Sequence, residues 1–350
     1  MPKANFTSTQ EVLLQLLNSS LNNSCQIELY RDICWADVLK LASEQGVLGV
    51  CLEAIEQLPA GTISKQTLLQ WIGLSELYRQ QYEKTWKVAC KLDELWAAEG
   101  IQATILKGRS MAKYYPVPSH RYSCDLDVFI GGEWGRACES LEGQGVRLER
   151  EVYKEVEFTL DNVYVECHRY ITPVRGNKHL KEFERYMRSL LDSEPKEYFE
   201  GTTLVCPPLT FTIMLYIEHA LGDFLQGHLT LKHIVDWVAL RRQQADWDVF
   251  KTKCKAFKFD KFLPLIDALA DVVEGKIDYQ DLQPSYQEVF EEIFKAPVAK
   301  KPRTWFGKRV ELFFSILRNG KKYQQFGYTS MPSFLFNSVW AHSFDKEVKL

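Results

Sequence analysis

Apolar residues recur at helical spacing through the first hundred positions. They do so in Val12, Leu13, Leu14, Leu16 and Leu17, in Trp35, Val38, Leu39, Leu41 and Ala42, and in Leu68, Leu69, Trp71, Ile72 and Leu74. That period places one apolar stripe on each segment, so residues 8–98 read as amphipathic helices. The last of them is a long helix over 75–100, with Tyr78, Tyr82, Trp86, Leu92, Leu95 and Trp96 on its stripe and Gly100 as its stop. At residue 101 the period changes. Residues 101–106 read as a short strand, followed by Lys107-Gly108 and a helical turn over 110–115. Leu126, Val128 and Ile130 alternate with Asp125, Asp127 and Phe129, which gives a strand with one apolar and one mostly polar face. A short helix over 132–143 and strand-like runs at 146–151, 154–160 and 163–168 follow, the last two joined by Asp161-Asn162. Helical periodicity returns over 209–221, 229–242 and 247–257, with Asp246 as an N-cap.

The pattern predicts an α+β chain: a small mixed-sheet core flanked by N-terminal and C-terminal helical blocks. Its divisions are a helical block over 1–98, the core over 99–200, a second helical block over 201–300, and a basic helix with an aromatic-rich tail over 301–350. With 46% hydrophobic and 25% charged residues, the composition is that of a folded globular protein. The net charge of −3 supplies no general field for a polyanion, so a long nucleic acid is a poor substrate and an anionic membrane a poor partner. Nine cysteines include no CxxC pair, which argues against a zinc ribbon and for reduced thiols in a cytoplasmic protein. The N-terminus has no apolar signal-like stretch, and residues 204–217 are too short to span a membrane.

The chemistry concentrates between Lys107 and Asp127. Aspartates at i and i+2 of a strand share a face with Cα atoms about 6.5 Å apart. Asp125 and Asp127 therefore suit a pair of hard cations, Mg²⁺ or Mn²⁺. Lys107-Gly108 closes a strand just before a helix, where a glycine lets the backbone approach a phosphate and the lysine adds a point charge. Ser110 offers a hydroxyl donor, and Arg121 either contacts phosphate or pairs with Asp125 or Asp127. In the strand 163–168 the polar face carries Tyr164, Glu166 and His168. Glu166 is the third carboxylate, as metal ligand or as general base, and His168 stands beside it as a partner of the site or a structural histidine.

Lys107-Gly108-Arg109-Ser110, then Arg121, Asp125-Leu126-Asp127 and the Glu166-Cys167-His168 strand, resemble the polymerase-β nucleotidyltransferase superfamily. More narrowly they resemble a bacterial family of uncharacterised nucleotidyltransferases, over roughly residues 30–260. The motifs are also similar to those of toxin-like nucleotidyltransferases from abortive-infection systems. Three departures stand out: Arg109 where the superfamily usually has Gly or Ser, Cys124 where the narrower family often has Gly, and Lys232 where that family often has Arg. The resemblance implies metal-dependent transfer of a nucleoside monophosphate from an NTP to a hydroxyl, on a small molecule or a protein. A nucleotide-binding interaction protein without turnover, or a toxin-like regulator, are the other readings it admits.

The remaining motifs read more plainly. Gly131-Gly132-Glu133-Trp134-Gly135 lacks dinucleotide-fingerprint spacing, and the chain has no P-loop. His219, His228 and His233 have no zinc-helix spacing and read as core or surface histidines. Lys232 and Asp236, four apart, read as an ordinary intrahelical pair ahead of a substrate contact on a helix closing the nucleotide cleft, and Lys300 to Arg309 as a solvated basic helix entry ahead of an acidic-partner or RNA contact.

Overall fold

Local capping sets the first helices. Thr7 accepts a hydrogen bond from Gln10 N while Gln10 returns one to Thr7 N, a reciprocal box that opens α1 (Ser8–Asn22). In this computed structural model the described residues are 6–24, 27, 33–151, 153–174, 178–193, 195–295, 314 and 318–327. Helices α2 (Trp35–Glu44) and α3 (Leu48–Glu56) pack on α1, and Ser64 caps α4 (Lys65–Ala97) through Thr67 N. Residues 68–74 and 75–100, which the periodicity divides, are thus one 33-residue helix about 50 Å long. The lone exposed Gly73 between them lowers helix propensity by only about 1 kcal/mol, too little to break it.

The sheet begins with β1 (Thr104–Ile105), shorter than the strand expected over 101–106. A single turn of helix, α5 (Arg109–Ala112), leads to β2 (Asp125–Phe129), α6 (Trp134–Gly143), β3 (Leu148–Glu151), β4 (Glu155–Leu160) and β5 (Val163–His168). Asp161 and Asn162, both at positive φ, close the β4–β5 hairpin without a glycine. Helix α7 (Lys178–Leu191) and two short strands, β6 (Glu197–Tyr198) and β7 (Val205–Cys206), follow. The sheet runs β3-β4-β5-β2-β1-β7-β6. The β2–β5 and β1–β7 pairs are parallel and the rest antiparallel, so this is an α+β fold with a mixed sheet. Strands β6 and β7 were not visible to periodicity, and they carry the sheet past residue 200 to Cys206.

Alternation divides the sheet's faces. Leu126 and Val128, Val163, Val165 and Cys167, and Val156 and Phe158 bury against Val88, Leu92 and Trp96 of α4 and Leu141 of α6. The opposite face turns Asp127, Glu166 and His168 toward the second layer of helices. There α8 (Leu209–Gln226), α9 (Leu231–Arg241), α10 (Trp247–Ala256), α11 (Leu263–Val273) and α12 (Pro284–Lys295) share one core with α1, α2 and α3. The two helical blocks are therefore continuous in space. Gln45 stitches them: its Oε1 accepts from Leu231 N at 3.0 Å, its carbonyl from Lys232 N at 3.1 Å, and its Nε2 donates to Ile293 O at 3.0 Å. The basic run 300–309 lies outside the described residues, as does most of the tail beyond a short helix at Gly320–Phe326.

Gly49 of α3 lies against the turn Pro118–His120, where an added Cβ would come 2.5 Å from His120 O. Gly49→Ala is expected to destabilise by about 1–3 kcal/mol, because backbone opposes it. Gly73→Ala, in open space on α4, should instead stabilise by roughly 0.5–1 kcal/mol. Urea unfolding of both variants checks the contrast.

Candidate active site

The parallel pairing of β2 with β5 sets Asp125 opposite Tyr164, Asp127 opposite Glu166 and Phe129 opposite His168. Because the period is two, the polar positions of both strands fall on one face, and β4 adds Glu155 and Glu157 opposite His168 and Glu166. Ligand-capable atoms of Asp127, Glu166 and His168 all lie within 4.8 Å of one another. Lys107 reaches this group from the loop after β1, its Nζ 3.1 Å from Asp127 Oδ1. His168 Nε2 lies 3.0 Å from the same oxygen, and its Nδ1 stands 2.9 Å from Glu155 Oε2, at ion-pair distance but without hydrogen-bond alignment. Lys154 Nζ is 2.9 Å from that Glu155 oxygen.

Three carboxylates on one buried face oppose one another electrostatically. Burial would raise Asp127, but the Lys107 charge and the His168 bond outweigh it and hold the carboxyl well below its usual range. Glu166 receives the opposite treatment: burial, then the charges of Asp127 and Glu155, push it up to about 7. Burial and Lys154 disfavour the imidazolium of His168, yet Glu155 and Asp127 together raise it above its ordinary value. Lys107 likewise stays charged despite burial because Asp127, Glu166 and Asp125 surround it.

Gly108 has φ 60 and ψ −106, a conformation that only glycine adopts without strain, and a Cβ there would sit 3.2 Å from Ser123 Oγ. Two neighbours of this loop differ from the expectations of spacing. Helix α5 is one turn, not the 110–115 helix, so it has little macrodipole to offer. Ser110 is fully buried and donates its hydroxyl to Ile105 O at 2.5 Å, which fixes the loop and leaves it facing away from the cleft. Arg109 stacks its guanidinium on α4, 4.4 Å from the Tyr82 ring centroid and 4.2 Å from that of Trp86, in a small cavity that Asp125 also lines.

Arg121 pairs with neither strand aspartate. Its Nε and Nη2 donate to Asp236 Oδ1 and Oδ2 at 2.7 and 2.9 Å, a buried bidentate pair that also receives the Tyr115 hydroxyl. Asp236 is thus chiefly the partner of Arg121, with Lys232 Nζ farther off at 3.5 Å. His219 Nδ1 and His233 Nε2 both meet Asp223 Oδ2, at 3.1 and 3.0 Å. Their closeness resembles a metal site. However, His233 Nδ1 accepts from Thr230 N at 3.1 Å, so in the neutral ring the proton sits on Nε2 and points at Asp223. That atom has no lone pair for a metal. A cavity of about 330 Å³ behind Pro116 and His120 is lined by none of Asp125, Asp127 and Glu166 and stands apart from this chemistry.

Sequence reasoning missed Glu155, Lys154 and Glu218. The alternation Glu155-Val156-Glu157-Phe158 holds the signal for the first. Glu218 is a buried carboxyl on α8, pushed up to about 7 by burial and moderated by Lys154 and Lys107, and nothing in the apolar run around it marks it.

A family model described as uncharacterised nucleotidyltransferase matches residues 31–273, more than half of the chain. The chain belongs to the uncharacterised nucleotidyltransferase family. No curated protein and no solved structure shows significant similarity to it. Membership supports nucleotidyl transfer as the activity. No described helix is long and apolar enough to cross a membrane.

The Arg121–Asp236 pair gives a stability test. Burial would raise Asp236, but Arg121 and Lys232 hold it well below the ordinary value of about 3.9. A depressed carboxyl contributes stability above its unfolded pKa and loses it as pH falls through the folded one. The stability difference between wild type and Asp236→Asn should therefore be full at neutral pH and shrink progressively below about pH 4. Asp236→Ala, which strands a buried guanidinium, should lose about 3–5 kcal/mol in urea unfolding at pH 7.

Proposed function

We propose that this protein is a metal-dependent nucleotidyltransferase that moves a nucleoside monophosphate from an NTP to a hydroxyl, with pyrophosphate released. The observation that carries the reading is the register of Asp127 against Glu166, with the Lys107 amine 3.1 Å from Asp127. Asp127 and Glu166, grouped with His168 within 4.8 Å, offer carboxylate oxygens that fit Mg²⁺ or Mn²⁺, and Asp125, outside that group but on the same strand face, would add another. When bound, such ions supply charge stabilisation for an in-line displacement at phosphorus.

The chain's own residues then divide the work. Asp125 and Asp127 hold the cations, and Glu166 takes the third carboxylate position, as ligand or as acceptor of the hydroxyl proton. His168, 3.0 Å from Asp127, would orient that carboxylate, and Lys107, 3.1 Å from it, would offer its charge to a phosphate. Gly108 gives the loop its close approach, while Ser110 and Arg121 fix that loop from behind through Ile105 and Asp236. The acceptor is a small molecule or a protein side chain, in keeping with a net charge of −3. No disulfide joins the described cysteines, as fits a reducing cytoplasm.

Incubation with NTPs labelled at the α-phosphate, Mg²⁺ or Mn²⁺ and candidate acceptors should give metal-dependent label transfer. Transfer no greater than that of the Asp125→Asn, Asp127→Asn double variant would defeat the enzymatic reading. His168→Gln should keep the fold and lower metal affinity or activity about 10–100-fold, the effect of removing a group that orients a ligand.

A further inference from the structure

Lys232 shares its carboxylate. It donates to Asp236 Oδ2 at 3.5 Å, a long bond to a group that also takes two shorter hydrogen bonds from Arg121 and one from Tyr115. Burial, and after it the Arg121 charge, holds the ammonium below its usual pKa; Asp236, Asp125 and Asp223 only partly offset them. The side chain is nevertheless kept in place. Its stem lies against Gly46, whose added Cβ would fall 3.1 Å from Lys232 Cδ, and its backbone N–H donates to Gln45 O at 3.1 Å. The N-terminal helices thus hold a partly buried lysine in position beside a carboxylate it shares with Arg121, an arrangement that an anion would favour.

Lys232 lines a cavity of about 80 Å³ together with Lys107, Arg121, His219, His233 and Asp236. One end of that cavity is the lysine that touches Asp127. Three permanent cations face it against one carboxylate, Asp236, so the cavity favours a negative guest. Its size is far below the roughly 300–1,000 Å³ of pockets that enclose a whole ligand, so it suits phosphate groups and not a nucleoside.

We propose that this cavity seats the terminal phosphates of the nucleotide, with Lys232 anchoring the group farthest from the carboxylates and Lys107 reaching the one nearest them. The assignment of the guest as a triphosphate tail rests on the nucleotidyltransferase reading; the polyphosphate site itself rests on the cavity. Such a site makes the protein selective for triphosphates over monophosphates, because a monophosphate has no terminal phosphates to place in it.

The test is calorimetric titration with Mg²⁺ present, using inorganic tripolyphosphate, the four ribonucleoside triphosphates and their monophosphates. Wild type, Lys232→Gln and Lys232→Arg are compared, with unfolding midpoints to confirm that each is folded. Lys232→Gln should weaken tripolyphosphate and triphosphate binding about 10- to 100-fold, the loss of a charge-assisted hydrogen bond, leave monophosphate binding unchanged, and be largely rescued by Lys232→Arg. The inference fails if tripolyphosphate does not bind wild type, if folded Lys232→Gln binds it as well as wild type does, or if monophosphates lose as much as triphosphates. Lys232-dependent tripolyphosphate binding without any label transfer would overturn the enzymatic reading alone. Label transfer indifferent to Lys232→Gln would overturn the polyphosphate site alone.

Discussion

The buried pair between Arg121 and Asp236 is the contact on which the arrangement of the site depends. It joins the segment just before β2 to α9 with two charge-assisted hydrogen bonds of 2.7 and 2.9 Å. A third bond, from Arg121 Nη1 to Gly108 O at 3.5 Å, brings the glycine loop into the same junction. Removing two charges from water is expensive, and their attraction repays that only with good geometry. What the pair fixes is relative position. The carboxylate strand, the Lys107 loop and the helix bearing Lys232 meet in one place because one guanidinium serves them all.

On the other side of Lys107, the sheet does something a helix surface could not. Parallel pairing of β2 with β5 stacks acidic positions in register, and antiparallel pairing with β4 adds more. The apolar face beneath them is packed against α4 and α6, so the acidic face has no freedom to turn over without exposing that core. Hydrophobic burial on one side thereby stabilises like-charge crowding on the other. Lys107, Lys154 and His168 offset part of that repulsion, and Glu166, last in line, stays raised.

The N-terminal helices are part of this economy and not a separate support. Gln45 and Gly46, between α2 and α3, hold the start of α9 by hydrogen bonds and by close contact with the Lys232 stem. Gly49 lets α3 press on the turn that leads into Arg121. Tyr82 and Trp86 of α4 take Arg109 between them, which explains how an arginine is accommodated beside Gly108 without obstructing the cleft.

Periodicity by itself determined the helical ends, the two-faced strand at Asp125 to Phe129 and the hairpin that follows, because each is a local pattern of side-chain direction. The residue types after β1 and in β2 likewise marked Lys107, Gly108, Asp125 and Asp127, and the alternation in β5 marked Glu166 and His168. Only the tertiary structure decided which partners these groups have. Nothing in sequence spacing says that Arg121 will find Asp236, 115 residues away, instead of Asp125, or that Ser110 will spend its hydroxyl on Ile105. Strands as short as Glu197–Tyr198 and Val205–Cys206 carry no period to read and exist because β1 offers them an edge. Likewise, Lys232 is one lysine of a helical i, i+4 pair until the fold makes it share that carboxylate with an arginine. Local pattern fixes which way a side chain points; long-range packing fixes what it meets there.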